Sequence, residues 1–343
     1  MILIDALYVN SGGGKVLLDY ILERIVFNNE NVTYLLDSRY IPKKNNLLSN
    51  NENVKFLNAT VINRTKFYMK NASKYDAFFC FGNIPPPVQL KSNVYIYFHQ
   101  TLYFENKINL GLASYIYISL KKFYILSLNR KNYFWIVQSR AIKIDLSTKF
   151  KIELSKILQM PIYPSLFFEN IKISQQRNNN KIIYVSDGSV HKNHSNLLKG
   201  FKIHFDSYGY GELHLTVSAK FKDLTKTINQ MISDGYPIFN HGEISREELY
   251  VHYKTSKCLI FPSFSESFGL PIFESIENGC MVAISNLPYA YAICVPNFTF
   301  NPNDKNDIAL CIKEIFEAKY LSQNFSKIDK LEELLNLFNL KYK

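Results

Sequence analysis

Short apolar runs alternate with amphipathic stretches along the whole chain of 343 residues. The runs have the length and composition of buried strands, and helical patterns fit between most of them. In the first half the predicted strands cover residues 2–9, 32–36, 54–57, 77–81, 94–99 and 134–138. A second series covers residues 182–186, 213–218, 238–241, 258–262, 281–285 and 298–300. Strands that alternate with helices predict the α/β class, with two doubly wound parallel sheets in succession.

A polar segment separates the two series of strands. Residues 175–180 read QQRNNN, a composition typical of a flexible connection, so we place an interdomain linker near residues 163–181. The chain is long enough for two domains that each bury a core of their own. We therefore expect a first domain over residues 1–165, a second over residues 166–325, and a C-terminal helix within residues 326–343.

The composition fits a large enzyme of a reducing compartment. Hydrophobic residues make up 47% of the chain and charged residues 20%. The five cysteines have no paired short spacing and most lie in apolar segments, so we expect reduced core thiols and neither zinc ligands nor disulfides. The first predicted strand begins at residue 2 with no basic leader before it, so no signal peptide is predicted. These features favour the cytoplasm.

The excess of positive charge lies in the first half of the chain. Residues 1–165 contain 21 Lys and Arg against 10 Asp and Glu, whereas residues 166–343 contain 19 of each sign, which leaves a net charge of +11. A basic half beside a neutral one favours an anionic partner: a membrane surface, a lipid-pyrophosphate acceptor or nucleic acid. Because no nucleic-acid-binding motif accompanies the charge, we expect no nucleic-acid partner.

The segment over residues 108–135 adds an apolar feature to this basic half. It is rich in Tyr, Phe, Ile and Leu, yet Lys121, Lys122, Arg130 and Lys131 interrupt it. A membrane-spanning helix needs about 18 or more apolar residues with few charges, so no spanning helix is predicted. Two interpretations stay open: a helix that lies in the interface of an anionic membrane, and a core helix with a solvated basic face.

Two glutamates beside a loop-to-helix turn mark the strongest candidate site. Glu266 lies in the loop after an apolar run, and Glu274 lies about one turn inside the helix that follows. Pro271 suits the first helical position, and Gly279 suits the position after the helix end. The unpaired N–H groups and the positive dipole end at such a helix start favour an anion, for example a pyrophosphate.

The two acids themselves call for a different ligand group. Gly269 lets the backbone of this loop approach a ligand closely, but two carboxylates beside an anion repel it. We therefore expect Glu266 and Glu274 to accept hydrogen bonds from hydroxyl groups, as on a sugar or a ribose. The alternative is that both acids merely complement the dipole of the helix.

The letters around these glutamates carry a family resemblance. Residues 261–279 resemble the E-x7-E signature of the retaining GT-B glycosyltransferases of family 4. Within them, residues 262–279 read PSFSESFGLPIFESIENG. The first half of the chain matches only in pattern, with a glycine-rich turn after the first strand and a histidine after a later one. Ala292 departs from the family, since many relatives carry a glutamate there. The similarity extends over residues 241–245, 248–249, 281–285, 287–289 and 300–304.

The resemblance implies a fold and a donor site. The GT-B architecture has two Rossmann-like domains that face a cleft, and the C-terminal helix returns to the first domain. The donor would be a UDP-, GDP- or ADP-sugar, with Glu274 on its ribose and Glu266 on its sugar hydroxyls. The start of the helix at Gly269 and Leu270 would bind the diphosphate, beside Ser267 and Phe268 of the same loop.

A second loop is expected to supply the basic group of this site. Residues 186–194 read SDGSVHKNH; they follow the first strand of the second domain and open a helix. In the family this loop carries a basic pair that binds the donor diphosphate, and Lys192 matches its lysine. The usual arginine is missing, and Ser189 or His191 lies near its place. Gly188 completes the donor-binding candidates of this loop.

The first domain contributes two candidates at strand ends. Gly12, Gly13 and Gly14 follow the first strand and open a helix, so their backbone can cradle a phosphate or approach an acceptor. The loop matches neither a Walker A motif nor a dinucleotide fingerprint, and a tight turn without a ligand is the alternative. His99 ends a later strand, where it resembles the donor-sugar histidine of the family and would act with Glu266 and Lys192 in catalysis.

No metal is implied by the sequence, because the other histidines show no metal-ligand spacing together with acids. No cofactor beyond the donor substrate is expected. The resemblance implies transfer of a sugar, with retention of configuration, to a glycan or a polyprenyl-pyrophosphate-linked acceptor. The setting would be bacterial O-antigen, capsule or lipopolysaccharide synthesis, in the cytoplasm or at the inner face of its membrane. Two alternatives stay open: a GT-B enzyme of another reaction, and a catalytically idle nucleotide-sugar-binding scaffold, which the changes at Ser189 and Ala292 would favour.

Overall fold

The computed structural model describes residues 1–25, 31–42, 51–104, 112–321, 328–340 and 342. The chain divides into two compact units. The first unit comprises Met1–Pro164 together with Ile328–Lys343, and the second comprises Ser165–Lys327. Each unit contains one parallel sheet with helices, so the predicted α/β class with two parallel sheets is confirmed.

The first unit contains a seven-stranded sheet in the order β3-β2-β1-β4-β5-β6-β7. All neighbouring strands in it run parallel. The chain leaves β1 towards β3 on one side and returns to β4 on the other, so the loops after β1 and β4 diverge at a topological switch point. The strands are β1 (Ile2–Ala6), β2 (Val32–Asp37), β3 (Val54–Leu57), β4 (Ala77–Cys80), β5 (Asn93–Phe98), β6 (Tyr133–Val137) and β7 (Ile157–Gln159).

Helices and aromatic side chains bury this sheet. Phe98 and Trp135, on neighbouring strands, pack against Phe150 at ring centroid distances of 5.6 and 6.4 Å. Among the described residues, no helix is both long and apolar enough to cross a membrane. The helices of this unit are α1 (Gly12–Arg24), α2 (Val61–Asn71), α3 (Leu112–Leu128), α4 (Arg140–Lys149) and α11 (Leu331–Asn336).

The second unit contains a six-stranded parallel sheet in the order β10-β9-β8-β11-β12-β13. Its switch point lies between β8 and β11, because the chain runs outward from β8 to β10 and then returns to the other side. The strands are β8 (Asn178–Tyr184), β9 (Glu212–Leu215), β10 (Ile238–Asn240), β11 (Ser256–Phe261), β12 (Met281–Ser285) and β13 (Phe298–Phe300). The helices are α5 (His194–Tyr208), α6 (Lys222–Ser233), α7 (Arg246–Thr255), α8 (Leu270–Glu277), α9 (Pro288–Ile293) and α10 (Lys305–Glu317).

The predicted linker is wrong at its end, where residues 178–181 belong to a strand. Asn178, Asn179 and Asn180 form the exposed start of β8, and Arg177 donates to the carbonyl oxygens of Tyr253 and Asn278 at 3.1 and 3.0 Å. These bonds tie the polar segment to the second unit. Composition suggested a flexible connection. Asn178 instead pairs with Ser256 of β11, so residues 178–180 extend the strand β8 past its buried part.

Candidate functional site

Two loops of the second unit meet at the switch point of its sheet. One loop joins β8 to α5, and the other joins β11 to α8. Phe264 donates its backbone N–H to the carbonyl oxygen of His191 at 2.9 Å, and Ser263 Oγ donates to the same oxygen at 3.3 Å. The two loops are therefore held side by side at the carboxyl ends of neighbouring strands, where open α/β sheets bind their ligands.

The loop after β8 has a fixed backbone. Asn193 takes the left-handed conformation, with φ 59°, and its Nδ2 donates to the carbonyl oxygens of Pro262 and Pro302 at 3.1 and 2.7 Å. Tyr184, the last residue of β8, donates its hydroxyl to the carbonyl oxygen of Lys192 at 2.7 Å. These bonds settle where the Lys192 side chain leaves the loop.

Lys192 and Glu266 form an ion pair across the two loops. Lys192 Nζ lies 2.5 Å from Glu266 Oε1, and the side chains are 17% and 10% exposed. Each was a candidate from the sequence, but nothing in a separation of 74 residues shows that they touch. One carboxylate oxygen of Glu266 therefore holds the Lys192 ammonium at the loop that leads into α8.

The residue that precedes α8 has a backbone conformation that favours glycine. Gly269 caps the helix with φ 72°, and a Cβ there would lie 2.9 Å from Ile272 Cδ1 and 3.0 Å from Ile293 Cδ1. Leu270 is the first helical residue, with Pro271 beside it in the first turn. The start of this helix therefore offers a close backbone approach together with the positive end of its dipole.

Glu274 pairs with a cation that the sequence analysis missed. Arg246, the first residue of α7, donates to Glu274 Oε1 at 2.8 Å, and Tyr253 Oη donates to Oε2 at 3.5 Å. Burial raises the pKa of the Glu274 carboxyl, which is 3% exposed, and Arg246 opposes that rise. A capping box of Ser245 and Glu248 fixes the start of α7 and so the place of Arg246.

The remaining donor candidates serve the loop architecture. Phe268 packs its buried ring 4.7 Å from that of Phe273, so this ring belongs to the core while Ser267 is half-buried beside it. Ser189 donates its backbone N–H to Asp187 Oδ1 at 2.9 Å. Gly188 lies against Phe221, where a Cβ would approach Phe221 Cγ to within 2.4 Å.

The glycine turn and His99 of the first unit are neighbours. The helix α1 begins at Gly12, so the three glycines form its first turn, and a Cβ at Gly14 would lie 3.2 Å from His99 Nε2. Burial lowers the pKa of His99 to about 4, so the ring is neutral near pH 7. Part of the residue reaches solvent, but Nδ1 is buried and has no hydrogen-bond partner within the described ranges.

Asn83, which the sequence analysis did not single out, orients this histidine. Its Oδ1 accepts the backbone N–H of His99 at 2.7 Å, and its Nδ2 lies 3.4 Å from His99 Nε2. Arg64 holds the loop that contains Asn83, because it donates to the carbonyl oxygens of Ile84 and Pro85 at 3.0 and 2.8 Å. A buried ion pair of 2.8 Å holds Arg64 to Asp5 on β1.

Three of the other histidines form a cluster that their spacing in the sequence does not show. His214, His241 and His252 lie far apart in sequence, yet one ring nitrogen of each lies within 4.8 Å of the others. They come from β9, from the residue after β10 and from α7, so only the tertiary fold brings them together.

Two units that each consist of a parallel sheet with helices match the GT-B class of folds. Solved structures support the class. Sucrose-phosphate synthase from Thermosynechococcus elongatus superimposes with a TM-score of 0.69 at 15% identity, over 98% of this chain and 94% of the other. HepE of Anabaena, in complex with UDP and glucose, gives a TM-score of 0.67 at 14% identity, with the same coverage of 98% and 94%.

Sequence comparison describes the second unit more closely. Residues 167–331 match the family model described as Glycosyl transferases group 1. The O-antigen chain mannosyltransferase RfbU of Salmonella typhimurium is 26% identical over 182 residues. That alignment spans 52% of this chain and 49% of the relative, about half of each.

Proposed function

We propose that this chain is a glycosyltransferase that moves a sugar from a nucleotide-diphospho-sugar to a glycan or to a polyprenyl-pyrophosphate-linked acceptor. The product keeps the anomeric configuration, no metal takes part in the transfer, and the setting is the synthesis of a bacterial surface polysaccharide such as O-antigen. The observation that carries the proposal is the ion pair of Lys192 and Glu266 in the loops at the start of α8.

The charges of this pair suit the leaving group of such a donor. A lysine ammonium has three N–H donors, and Glu266 takes one of them, which leaves Lys192 able to bind a diphosphate. The start of α8 at Gly269 adds backbone N–H groups and a positive dipole end. As the glycosidic bond ionises, negative charge grows on the departing diphosphate, where preorganised donors stabilise the transition state.

The carboxylates of the site suit the hydroxyl groups of the donor. Glu266 uses Oε1 for Lys192, so Oε2 is proposed to accept from the sugar. Glu274 is held by Arg246, and its oxygens, each with two lone pairs, are proposed to accept from the ribose. The attacking acceptor hydroxyl passes its proton to a phosphate oxygen of the leaving group, so no protein base is required.

The first unit is proposed to serve the same reaction. The ring of His99 is neutral, and its buried Nδ1 has no hydrogen-bond partner among the described residues, so this atom is available to a polar group of a ligand. The adjacent glycine turn of residues 12–14 allows a ligand to approach the backbone. We propose that His99 contributes to turnover and that the backbone of the glycine turn binds a phosphate or the acceptor.

The helix α3 supports attachment to an anionic membrane. Ile116, Tyr117, Leu120 and Phe123 are exposed on one side of it, Leu120 by 65% and Phe123 by 73%, whereas Ile125 is fully buried. Exposed apolar side chains next to lysines, in the basic half of the chain, are the features of an interfacial helix. The described part of this segment begins at residue 112, so residues 108–111 of the sequence prediction lie outside it.

Donor binding is the experiment that tests the site. UDP-, GDP- and ADP-sugars are screened by thermal shift with EDTA present, since a ligand that binds only the folded state raises the melting temperature. One nucleotide class should stabilise the wild-type chain and the control Lys220→Ala, whose exposed lysine also pairs with a glutamate. Lys192→Ala should lose the shift. A shift that survives in Lys192→Ala, or no shift at all, contradicts the proposed donor site.

A further inference from the structure

We propose that His214, His241 and His252 form a binding site for one divalent transition metal ion of the zinc class. The three imidazoles come from separate elements of the second unit and converge with a ring nitrogen each within 4.8 Å. Three histidines with a fourth position open to water are a common ligand set for Zn²⁺. The proposal is independent of the proposed sugar transfer and assigns the metal no part in it.

The ring positions are close to those that a tetrahedral site needs. His214 Nδ1 lies 2.9 Å from His241 Nε2, and the ring centroids of His241 and His252 are 4.2 Å apart. Two imidazole nitrogens on one Zn²⁺, each at about 2.0–2.1 Å, lie about 3.3 Å apart in tetrahedral geometry. Small ring rotations therefore suffice, with the metal in place of the hydrogen that now bridges His214 and His241.

Glu212 supplies the outer partner that metal-binding histidines usually have. Its Oε2 lies 3.2 Å from His214 Nε2, so this nitrogen carries the hydrogen and Nδ1 keeps its lone pair towards the cluster. A carboxylate behind an imidazole fixes the tautomer and raises the basicity of the ligand atom. Phe239 stacks on the other side at a centroid distance of 4.8 Å and limits the movement of the ring.

The protonation of the cluster also suits a metal. Burial lowers the pKa of His214 to about 3 and that of His252 to about 4, and it lowers the pKa of His241 as well. The three rings are therefore neutral near pH 7, as ligands must be. Lys181 is the opposing group, because its Nζ lies 3.1 Å from His252 Nδ1, and burial lowers its pKa too.

The test is metal binding by the whole chain after treatment with EDTA. Equilibrium dialysis against micromolar Zn²⁺ with elemental analysis should give one ion per chain, and Co²⁺ should give the visible absorption of a four-coordinate complex. Glu212→Gln should weaken binding by about 10- to 100-fold, and His241→Gln and His252→Gln should weaken it further. His191→Ala, which removes a histidine outside the cluster, should bind as the wild type does.

The variants also separate the cluster from unspecific binding. His241 and His252 are half-buried, so glutamine at either place should leave the melting temperature of the metal-free chain nearly unchanged. Less than one ion per chain, or binding that survives His252→Gln, overturns the proposal.

Discussion

Lys192 makes the sharpest prediction at the residue scale. Its ammonium is the charge that we propose to stabilise the departing diphosphate, so Lys192→Ala should lower kcat by about 10²–10³-fold, the usual effect of one such contact. Initial rates with the donor found by thermal shift measure the effect. Lys220→Ala, in an exposed lysine–glutamate pair, should keep its rate. A Lys192→Ala rate within a few-fold of the wild type would reject the role.

Gly269 tests the geometry of the helix start. Alanine there should destabilise the fold by more than the roughly 1–2 kcal/mol expected for a left-handed residue, because its Cβ would also crowd Ile272 and Ile293. Gly235→Ala is the matched control: φ is 93° and no atom lies within 4 Å of the added Cβ. Urea unfolding compares the two variants. Equal losses would mean that the contacts with the isoleucines do not constrain this turn.

His194 predicts a pH dependence of stability. The ring is buried beside Tyr184, both of its nitrogens lack partners among the described residues, and burial lowers its pKa to about 4. The unfolded chain, with an ordinary value near 6.5, binds more protons between these limits. The free energy of unfolding should therefore be constant above about pH 6.5 and fall as the pH drops towards 4.

A single substitution isolates the contribution of His194. One such histidine changes the free energy of unfolding by up to about 1.4 kcal/mol per pH unit within that window. Urea unfolding at several pH values should show a shallower slope for His194→Phe than for the wild type, with the other depressed histidines left in place. The same slope in both proteins would show that His194 titrates normally in the folded state.

The sequence identifies the residues of the candidate site more readily than their contacts. Glu266 and Gly269 are identifiable because loop positions after buried strands and before helices follow from local pattern, whereas Lys192 is identifiable because its loop resembles that of the family. That Lys192 touches Glu266 depends on the order of strands in the sheet, which puts β8 next to β11. The contact of Glu274 with Arg246 and that of Asn83 with His99 also could not be predicted from local pattern, since each contact joins separate elements of the chain.

At the scale of elements, the strand pattern was predicted well except at its ends. The run predicted at residues 2–9 ends as a strand at Ala6, although Leu7 and Val9 remain buried. Apolar burial continues past the last ladder hydrogen bond, so periodicity alone extends the strand. The sequence analysis missed the short strand β7, which has three residues. Its pairing with β6 comes from the tertiary fold.

The helix α3 carries the prediction for this scale. Phe123→Glu should reduce binding to vesicles that contain anionic lipid, because it puts a charge on the proposed interfacial side of the helix. Met69→Glu on α2, at a side chain that is 76% exposed, is the control and should bind as the wild type does. Co-sedimentation measures both. Equal binding by the two variants would favour a solvated basic helix.

The distribution of charge is a property of the whole molecule, and it predicts different partners for the two halves of the chain. The first half carries the whole excess of 21 basic over 10 acidic residues, which suits an anionic acceptor or membrane. The second half is balanced, and its proposed donor site relies on one lysine and a helix dipole instead of a general positive field. Raised salt should therefore weaken acceptor or vesicle binding more than donor binding.

The most direct test of the whole account is turnover with a defined product. The wild-type chain, without added metal, is incubated with the donor of the stabilising class and with polyprenyl-pyrophosphate-linked glycan acceptors. Release of the nucleoside diphosphate is followed, and NMR determines the anomeric configuration of the new linkage. The account predicts release that depends on the acceptor, needs Lys192, and yields the configuration of the donor. An inverted product would contradict the proposed mechanism, and donor binding without any release would make the chain a scaffold.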